Sequence, residues 1–272
     1  MGTLYIVATP VGNLKDITLR ALEVLRGAAL VVCEDTRVTY KLLAHYKISK
    51  PLVSYFQHSK LSKAGYIVEQ LAQGKNVALV TDAGTPGISD PGNKLIEQVL
   101  HFLPLDEGRA GWGVEDIRIA QIHANCAHAN NTTPSQSPPQ LRGRGNGVKI
   151  VPLPGPNAAI AALSISGLPA DKFIFLGFPP HKKGRQKFFQ EVAEAKYTVV
   201  FYESTHRILR TLNELNNKFQ VSCSKLRKLV VCRELTKQFE SIYRGTAQEI
   251  LKVLESDKNN QKGEFVVVVS NG

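Results

Sequence analysis

Metal-binding and redox signatures are missing from this chain. Its 272 residues include four cysteines, Cys33, Cys126, Cys223 and Cys232, and no two of them form a CxxC pair. HExxH is absent as well. Both absences argue against a structural zinc or a zincin centre, and no metal is expected. Long hydrophobic runs are also lacking. The longest, such as Ala28 to Cys33 and Phe265 to Val269, are far too short to span a bilayer. Met1 to Pro10 has neither the basic region nor the apolar segment of a signal peptide and reads as a first strand. Scattered thiols without a membrane segment lead to the expectation of a cytoplasmic protein. Aromatics make up 7% of the chain, so its core must be aliphatic, and at 43% hydrophobic residues there is enough to build one. The length suits one large domain or two medium ones.

Glycine-rich phosphate loops are missing too. No GxxxxGK[ST] occurs and no GxGxxG follows a strand, which argues against nucleoside triphosphates and dinucleotides. Gly87-Ile88-Ser89-Asp90-Pro91 approaches the hydrolase elbow GxSxG but ends in proline, so it is set aside.

Positive charge is what the chain has in excess: 34 Lys and Arg against 23 Asp and Glu, a net +11. Residues 1–100 carry +3, residues 101–147 are neutral, and residues 148–272 carry +8. The C-terminal part therefore favours a polyanionic partner, a nucleic acid before an anionic lipid. A generally basic protein without such a partner is the alternative.

Apolar, β-rich runs alternate with helical spacing from residue 4 to residue 102, which implies a mostly parallel, helix-covered sheet. Residues 103–147 break this rhythm. Ile117 to Ile122 offers at most a short helix, and Asn130 to Gly147 is rich in Asn, Ser, Pro, Gly and Gln. The segment reads as a flexible insertion, with an ordered lid as the alternative. Strands and helices resume at Val148, with more extended segments and a mixed sheet expected in the second half. The domain boundary is placed near Leu168 to Lys172, giving domains of residues 1–168 and 169–272.

Three turns follow expected strands: Thr9-Pro10-Val11-Gly12-Asn13, Thr81-Asp82 through Gly92, and Leu153-Pro154-Gly155-Pro156-Asn157-Ala158. Ligands in open α/β sheets bind beyond the carboxyl ends of strands, and Gly and Ala there let backbone approach a ligand. A ligand without phosphates, held by backbone groups, fits such turns; S-adenosylmethionine is one. Each turn taken alone could be merely a tight connection. Glu34-Asp35-Thr36-Arg37 and Glu203-Ser204-Thr205-His206-Arg207 also sit at strand ends. Each joins a carboxylate to a guanidinium, which suits phosphate or ribose binding or acid–base chemistry, or equally an N-cap with a salt bridge. His181-Lys182-Lys183-Gly184-Arg185-Gln186-Lys187 follows Phe178-Pro179-Pro180. Its cations, Lys182, Lys183, Arg185 and Lys187, are candidates for contacting a phosphate backbone, or else mark a solvated helix start. Cations at a helix start oppose the helix dipole, which leans toward an anionic partner.

At these motifs the chain resembles a known family. Leu4 to Leu14 with Asp16 to Ala21, the Glu34–Arg37 cluster, the Asp82–Gly92 turn, Pro154 to Asn157, Phe201 to Ser204 with His206-Arg207, and Arg233 to Lys237 are similar, in order and spacing, to the ribosomal RNA small subunit methyltransferase I family. The resemblance covers residues 2–100 and 148–269 and departs at the insertion. It implies a tetrapyrrole-methylase fold of two α/β domains, with S-adenosylmethionine in the cleft between them, and a homodimer. It further implies 2′-O-methylation of a decoding-centre cytidine of 16S rRNA, cytidine 1402 in the usual numbering. By family position, Pro10, Asp82, Ala83, Gly84, Thr85, Asn157, Ala158, Tyr202, Glu234 and Leu235 would line the cofactor.

Methyl transfer to a ribose hydroxyl is an in-line displacement that needs the sulfonium methyl roughly 3 Å from the oxygen. A neutral hydroxyl is a weak nucleophile, so a nearby base or ionic stabiliser is expected. Asp35, Glu203 and His206 are the candidate bases, with Arg37 and Arg207 as candidate phosphate holders. Two other readings stay open on the same fold: a methylase of tetrapyrroles and an inactive RNA-binding protein.

Overall fold

The computed structural model describes residues 1–55, 61–103, 147–222 and 227–271. The expected insertion at 103–147, its short helix at Ile117–Ile122, Cys126 and Cys223 lie, all but the segment's two end residues, outside the described residues. The chain divides into two compact units. The first comprises residues 1–9 and 16–155; the second comprises residues 10–15 and 156–272.

The first unit is built on an all-parallel sheet of β1 (Thr3–Val7), β2 (Leu30–Cys33), β3 (Leu52–Ser54), β4 (Val77–Leu79) and β5 (Lys149–Leu153), in the order β3-β2-β4-β1-β5. Strand side chains alternate between faces, and here both faces are apolar, as a sheet covered on both sides requires. Leu4, Ile6, Leu30, Val32, Val77 and Leu79 pack under α3 (Leu61–Ala72) and α4 (Gly92–Phe102). Val7, Val31, Cys33, Ala78 and Val80 pack under α1 (Leu19–Gly27) and α2 (Thr36–His45). Because the strands are parallel, the ends of β1, β2, β4 and β5 share one edge of the sheet, where the motif turns lie.

The second unit holds a mixed sheet, as its sequence pattern implies, in the order β6-β7-β10-β8-β9. Its strands are β6 (Phe173–Phe175), β7 (Thr198–Ser204), β8 (Leu229–Arg233), β9 (Ser241–Gly245) and β10 (Glu264–Val269). β6 runs parallel to β7, and the other pairings are antiparallel. One face carries Val199, Phe201, Phe265, Val267 and Val269 under α6 (Arg185–Glu194), α7 (Ile208–Ser222) and α8 (Ala247–Ser256). The other face carries Val200, Val230, Cys232, Val266 and Val268 under α5 (Ala158–Ser166).

The boundary between the units falls at Gly155–Pro156, ahead of the Leu168–Lys172 position read from the sequence. Packing is the reason: α5 buries Ala159, Ala162 and Leu163 against the second sheet, so it belongs to the second unit although it directly follows a strand of the first. Among the described residues, no helix is long and apolar enough to cross a membrane.

Candidate active site

In the first unit the motif turns are tied together at the carboxyl edge of the sheet. Beyond β1, the amide of Thr9 donates to the Gly84 carbonyl at 2.9 Å, and the amide of Gly84 donates back to the Thr9 carbonyl at 3.0 Å. The Thr9 hydroxyl adds a bond to the Thr81 carbonyl at 3.0 Å. Gly84 is therefore a shaped support whose own backbone is committed, while Asp82 and Ala83 beside it are exposed. The loop closes on itself through Asp90, whose carboxylate accepts the amides of Gly87 at 2.9 Å and Gly92 at 2.8 Å. Gly155 must be glycine: a Cβ there would lie 2.8 Å from the Ala8 Cβ, so the turn after β5 can close against the end of β1 only without a side chain.

The Glu34–Arg37 cluster meets the same loop. Asp35 caps α2, accepting the Arg37 amide at 2.8 Å, and pairs with the Arg37 guanidinium at 2.6 Å. Hydrogen bonding to Arg37 holds its carboxyl at about 2, which makes Asp35 a poor proton acceptor. Its amide donates to the Asp82 carboxylate at 3.1 Å. Glu34 points the other way. Half-buried, it accepts from the Thr81 hydroxyl at 3.3 Å, and burial together with the charges of Asp82 and Asp90 pushes its carboxyl above the ordinary range. Asp82 is likewise raised, first by loss of surrounding water and then by Asp35. The edge thus concentrates negative charge that Arg37, already paired with Asp35, offsets only in part. Glu34 is a stronger candidate proton acceptor or cation contact than Asp35, held by Arg37, or Glu203, held by two arginines. Its signal was its place as the first residue after a fully buried strand.

In the second unit, two remote motifs are stitched together. The Thr236 hydroxyl accepts the Asn13 amide at 3.0 Å. A Cβ on Gly12 would sit 2.4 Å from the Lys237 side chain and 2.8 Å from the Leu235 carbonyl. Glu234 (φ 51°) and Thr236 (φ 65°) both lie in the left-handed region that side chains rarely enter, a strain that concentrates at working sites. Contacts around them enforce it. Glu234 accepts Lys237 at 3.0 Å and the Glu264 amide at 2.8 Å, and the buried Arg233 holds the Lys262 and Phe239 carbonyls. The Leu235 side chain is in the core, so only its backbone can face a ligand. Asn157 caps α5 through the amides of Ala159 and Ile160. Tyr202 packs edge-on against Phe175 and Phe178, and burial raises its pKa. Pro10 is buried and Ala158 half-buried.

Two assignments made from the sequence are corrected here. Glu203, read as a candidate base, is fully buried and ion-paired: Arg207 lies 2.8 Å away and Arg185 3.9 Å, and the Thr211 hydroxyl donates to it at 2.6 Å. Arg185, read as an RNA contact, is 2% exposed and bound to Glu214 at 2.7 Å and to Thr211 at 2.7 Å. Sequence alternation foreshadowed both. Residues 199, 201 and 203 share a strand face, and residues 185, 188, 189 and 192 share a helix stripe, so each charge sits on an apolar face. Arg207, a proposed phosphate holder, is largely committed to Glu203 and the Pro179 carbonyl. Lys182, Lys183, Lys187 and His206 are exposed.

The tetrapyrrole (corrin/porphyrin) methylase family model matches residues 3–103 and 139–251. Ribosomal RNA small subunit methyltransferase I of Haemophilus influenzae is 40% identical over 269 residues, 98% of this chain and 78% of its own. The enzyme of that name from Synechocystis is 38% identical over 99% of this chain and 79% of its own. Among solved structures, the methyltransferase CobJ aligns over 100% of this chain and 95% of its own, with a TM-score of 0.60 at 18% identity. A uroporphyrin-III C-methyltransferase of Thermus thermophilus, complexed with S-adenosyl homocysteine, aligns over 99% of this chain and 97% of its own, with a TM-score of 0.57 at 14% identity. These likenesses to structures establish the fold. The family match and the relatives together establish that the chain belongs to the tetrapyrrole methylase family and, within it, to the ribosomal RNA small subunit methyltransferase I group.

Proposed function

We propose that this protein is an S-adenosylmethionine-dependent methyltransferase acting on the small-subunit ribosomal RNA, and that it methylates the 2′-oxygen of the decoding-centre cytidine, cytidine 1402. The observation that carries action on small-subunit ribosomal RNA is the 38–40% identity to proteins named ribosomal RNA small subunit methyltransferase I over nearly the whole chain; the ribose position and the cytidine are the finer part of the proposal. Likeness to tetrapyrrole methylases stands at 18% identity or less and concerns the fold.

The residues fit the cofactor's charge. S-adenosylmethionine supplies an electrophilic methyl on a sulfonium cation and also carries an ammonium group. Glu34, raised by burial and neighbouring acids, and the exposed Asp82, raised by partial loss of water and by Asp35, gain from a cation brought beside them. In this reading Asp82, Ala83 and Thr85 contact the ligand, and Gly84 holds their loop against Thr9. Pro10, Asn157, Ala158, Tyr202 and the strained Glu234-Leu235 backbone are the contacts proposed from the second unit. Glu34 is the group proposed to take the ribose proton, because Asp35 is held by Arg37 and Glu203 by two arginines. His206 remains the exposed alternative. Lys182, Lys183 and Lys187 are proposed to meet RNA phosphates, with the protein acting as a homodimer in the cytoplasm.

The test is transfer of a labelled methyl group from S-adenosylmethionine to purified small subunits lacking the modification. Label that becomes resistant to alkaline hydrolysis within a ribose-methylated dinucleotide is expected. Label appearing only on a tetrapyrrole substrate would overturn the reading.

A further inference from the structure

The buried charges of the second unit sit behind the exposed lysines. β6 ends at Phe175, and the chain continues through Leu176, Gly177 and Phe178 into Pro179 and Pro180. The Leu176 amide still donates to the Val200 carbonyl at 3.0 Å, and the Tyr202 amide to the Gly177 carbonyl at 2.8 Å. Pairing with β7 stops there, since a proline has no N–H to continue it. Carbonyls are the only polar backbone handles the two prolines retain, and each is held by an arginine. Arg207 Nη1 donates to the Pro179 carbonyl at 2.8 Å, and Arg185 Nη1 donates to the Pro180 carbonyl at 3.2 Å.

A single carboxylate organises both guanidiniums. Glu203 Oε1 lies 2.8 Å from Arg207 Nε, and Oε2 accepts the Thr211 hydroxyl at 2.6 Å, which in turn accepts Arg185 Nη2 at 2.7 Å. Glu214 fixes the far side of Arg185 at 2.7 Å. Beyond Pro180 the chain surfaces as His181, Lys182 and Lys183, turns at Gly184 in the left-handed region (φ 88°), and re-enters the core at Arg185. The exposed turn is therefore pinned at both ends by the same network, once through the proline carbonyls and once through the Arg185 side chain. A buried ion network of this kind contributes little stability beyond well-packed apolar residues of equal volume. What it gives is one fixed geometry.

We infer that Glu203, Arg207 and Arg185 are positioning residues that hold the His181–Lys183 turn in the shape that receives the phosphate backbone of the RNA substrate. The inference rests on the proposed action on ribosomal RNA and deepens it: the cations that touch RNA are the lysines, and the buried Arg185 and half-buried Arg207 act through them.

The test is a mutant cycle between Arg207→Lys and the triple change Lys182→Ala, Lys183→Ala, Lys187→Ala. Lysine keeps the charge beside Glu203 but has no second nitrogen to reach Pro179. Arg207→Lys is expected to weaken binding of small-subunit RNA about tenfold, as misplacement of a binding group does, and to leave S-adenosylmethionine affinity within twofold. Hydrogen exchange should accelerate at the amides of residues 181–184 and stay slow in β7 and β8. In the lysine-free background the same substitution should cost RNA affinity nothing further. If the lysine-free protein binds RNA weakly while Arg207→Lys matches the wild type, the positioning role is overturned and the ribosomal reading stands. An undiminished tenfold loss in the lysine-free background would also overturn it, assigning Arg207 a direct or merely structural part. Unchanged RNA binding by the triple variant would remove the turn from the interface, and methyl transfer by the wild type would then judge the ribosomal reading separately. Should the lysine variant not fold, Arg207→Gln, whose amide reaches Glu203 but not Pro179, serves in its place.

Discussion

Two strand ends in this protein carry nearly the same string, Glu34-Asp35-Thr36-Arg37 after β2 and Glu203-Ser204-Thr205-His206-Arg207 ending β7, and the fold uses them in opposite ways. After β2, the arginine is exposed and pairs with the neighbouring Asp35, leaving Glu34 half-buried among acids. At the end of β7, the glutamate is buried and captures two arginines. Strand phase decides the difference. Glu203 continues the face of Val199 and Phe201 beneath α6 and α7, where an unpaired charge could not be kept. Glu34 follows Cys33, the last residue of its strand, at an open sheet edge. A carboxylate–arginine string is thus chemically available in one place and structural in the other, and composition alone does not separate the two.

The contrast breaks first on stability. Glu203→Ala would leave Arg207 without its counter-charge and Arg185 with Glu214 alone, and a loss of about 3 kcal/mol is expected by denaturant unfolding. Asp35→Ala, at the exposed cluster, should cost much less; equal losses would erase the distinction. Next in size is ligand binding. Asp82→Ala should weaken S-adenosylmethionine about 10- to 100-fold by calorimetry, the range for losing a charged hydrogen-bond partner, while unfolding stays near wild type. Unchanged affinity in a folded variant would take the acidic edge out of the cofactor site. The smallest effect concerns pH. Burial and neighbouring charges raise Glu34 in the folded chain, so its ionisation opposes folding above that raised pKa, and the penalty fades as pH falls to the ordinary carboxylate range. Glu34→Gln should therefore melt about 2 °C higher than wild type at neutral pH and equally at acid pH. Asp35 has the opposite sign: held at about 2 by Arg37, it supports folding above the ordinary carboxylate pKa and loses that support only as pH falls through about 2. A melting difference for Glu34→Gln that grows on acidification would contradict the assignment of Glu34 as the strained acid.

Much of this architecture was legible from hydrophobic period. Leu30–Cys33 and Ala158–Ser166 are the clearest cases, because a fully buried strand and an alanine-rich helix between Asn157 and Gly167 have sharp ends in the sequence. Apolar character overstates one strand: Phe173 to Phe178 is a continuous apolar stretch, but the strand proper ends at Phe175 and pairing stops after Gly177, before the two prolines. Asp35 as a cap was among the readings the sequence allowed, and the structure selects it. The placement of α5 on the second sheet was not legible. Its mean apolarity has almost no preferred face, so nothing in the local pattern says which sheet it covers. Arg185 and Glu203 belong to motifs whose chemistry suggests a surface role, but the face of the helix and strand that each occupies is apolar, and that face decides their burial. The strain at Glu234 and Thr236 depends on contacts with Asn13 and Glu264, which are remote in sequence and have no local signature.

The most direct measurement of the central claim is a nucleotide-resolution map of ribose methylation on 16S rRNA, taken from unmodified small subunits incubated with the purified protein and S-adenosylmethionine. One new 2′-O-methyl at the decoding-centre cytidine is expected, absent with Asp82→Ala at limiting cofactor and reduced with the lysine-free turn. A map unchanged by active, cofactor-binding protein, or a methyl group placed on a base and not on a ribose, would contradict the account.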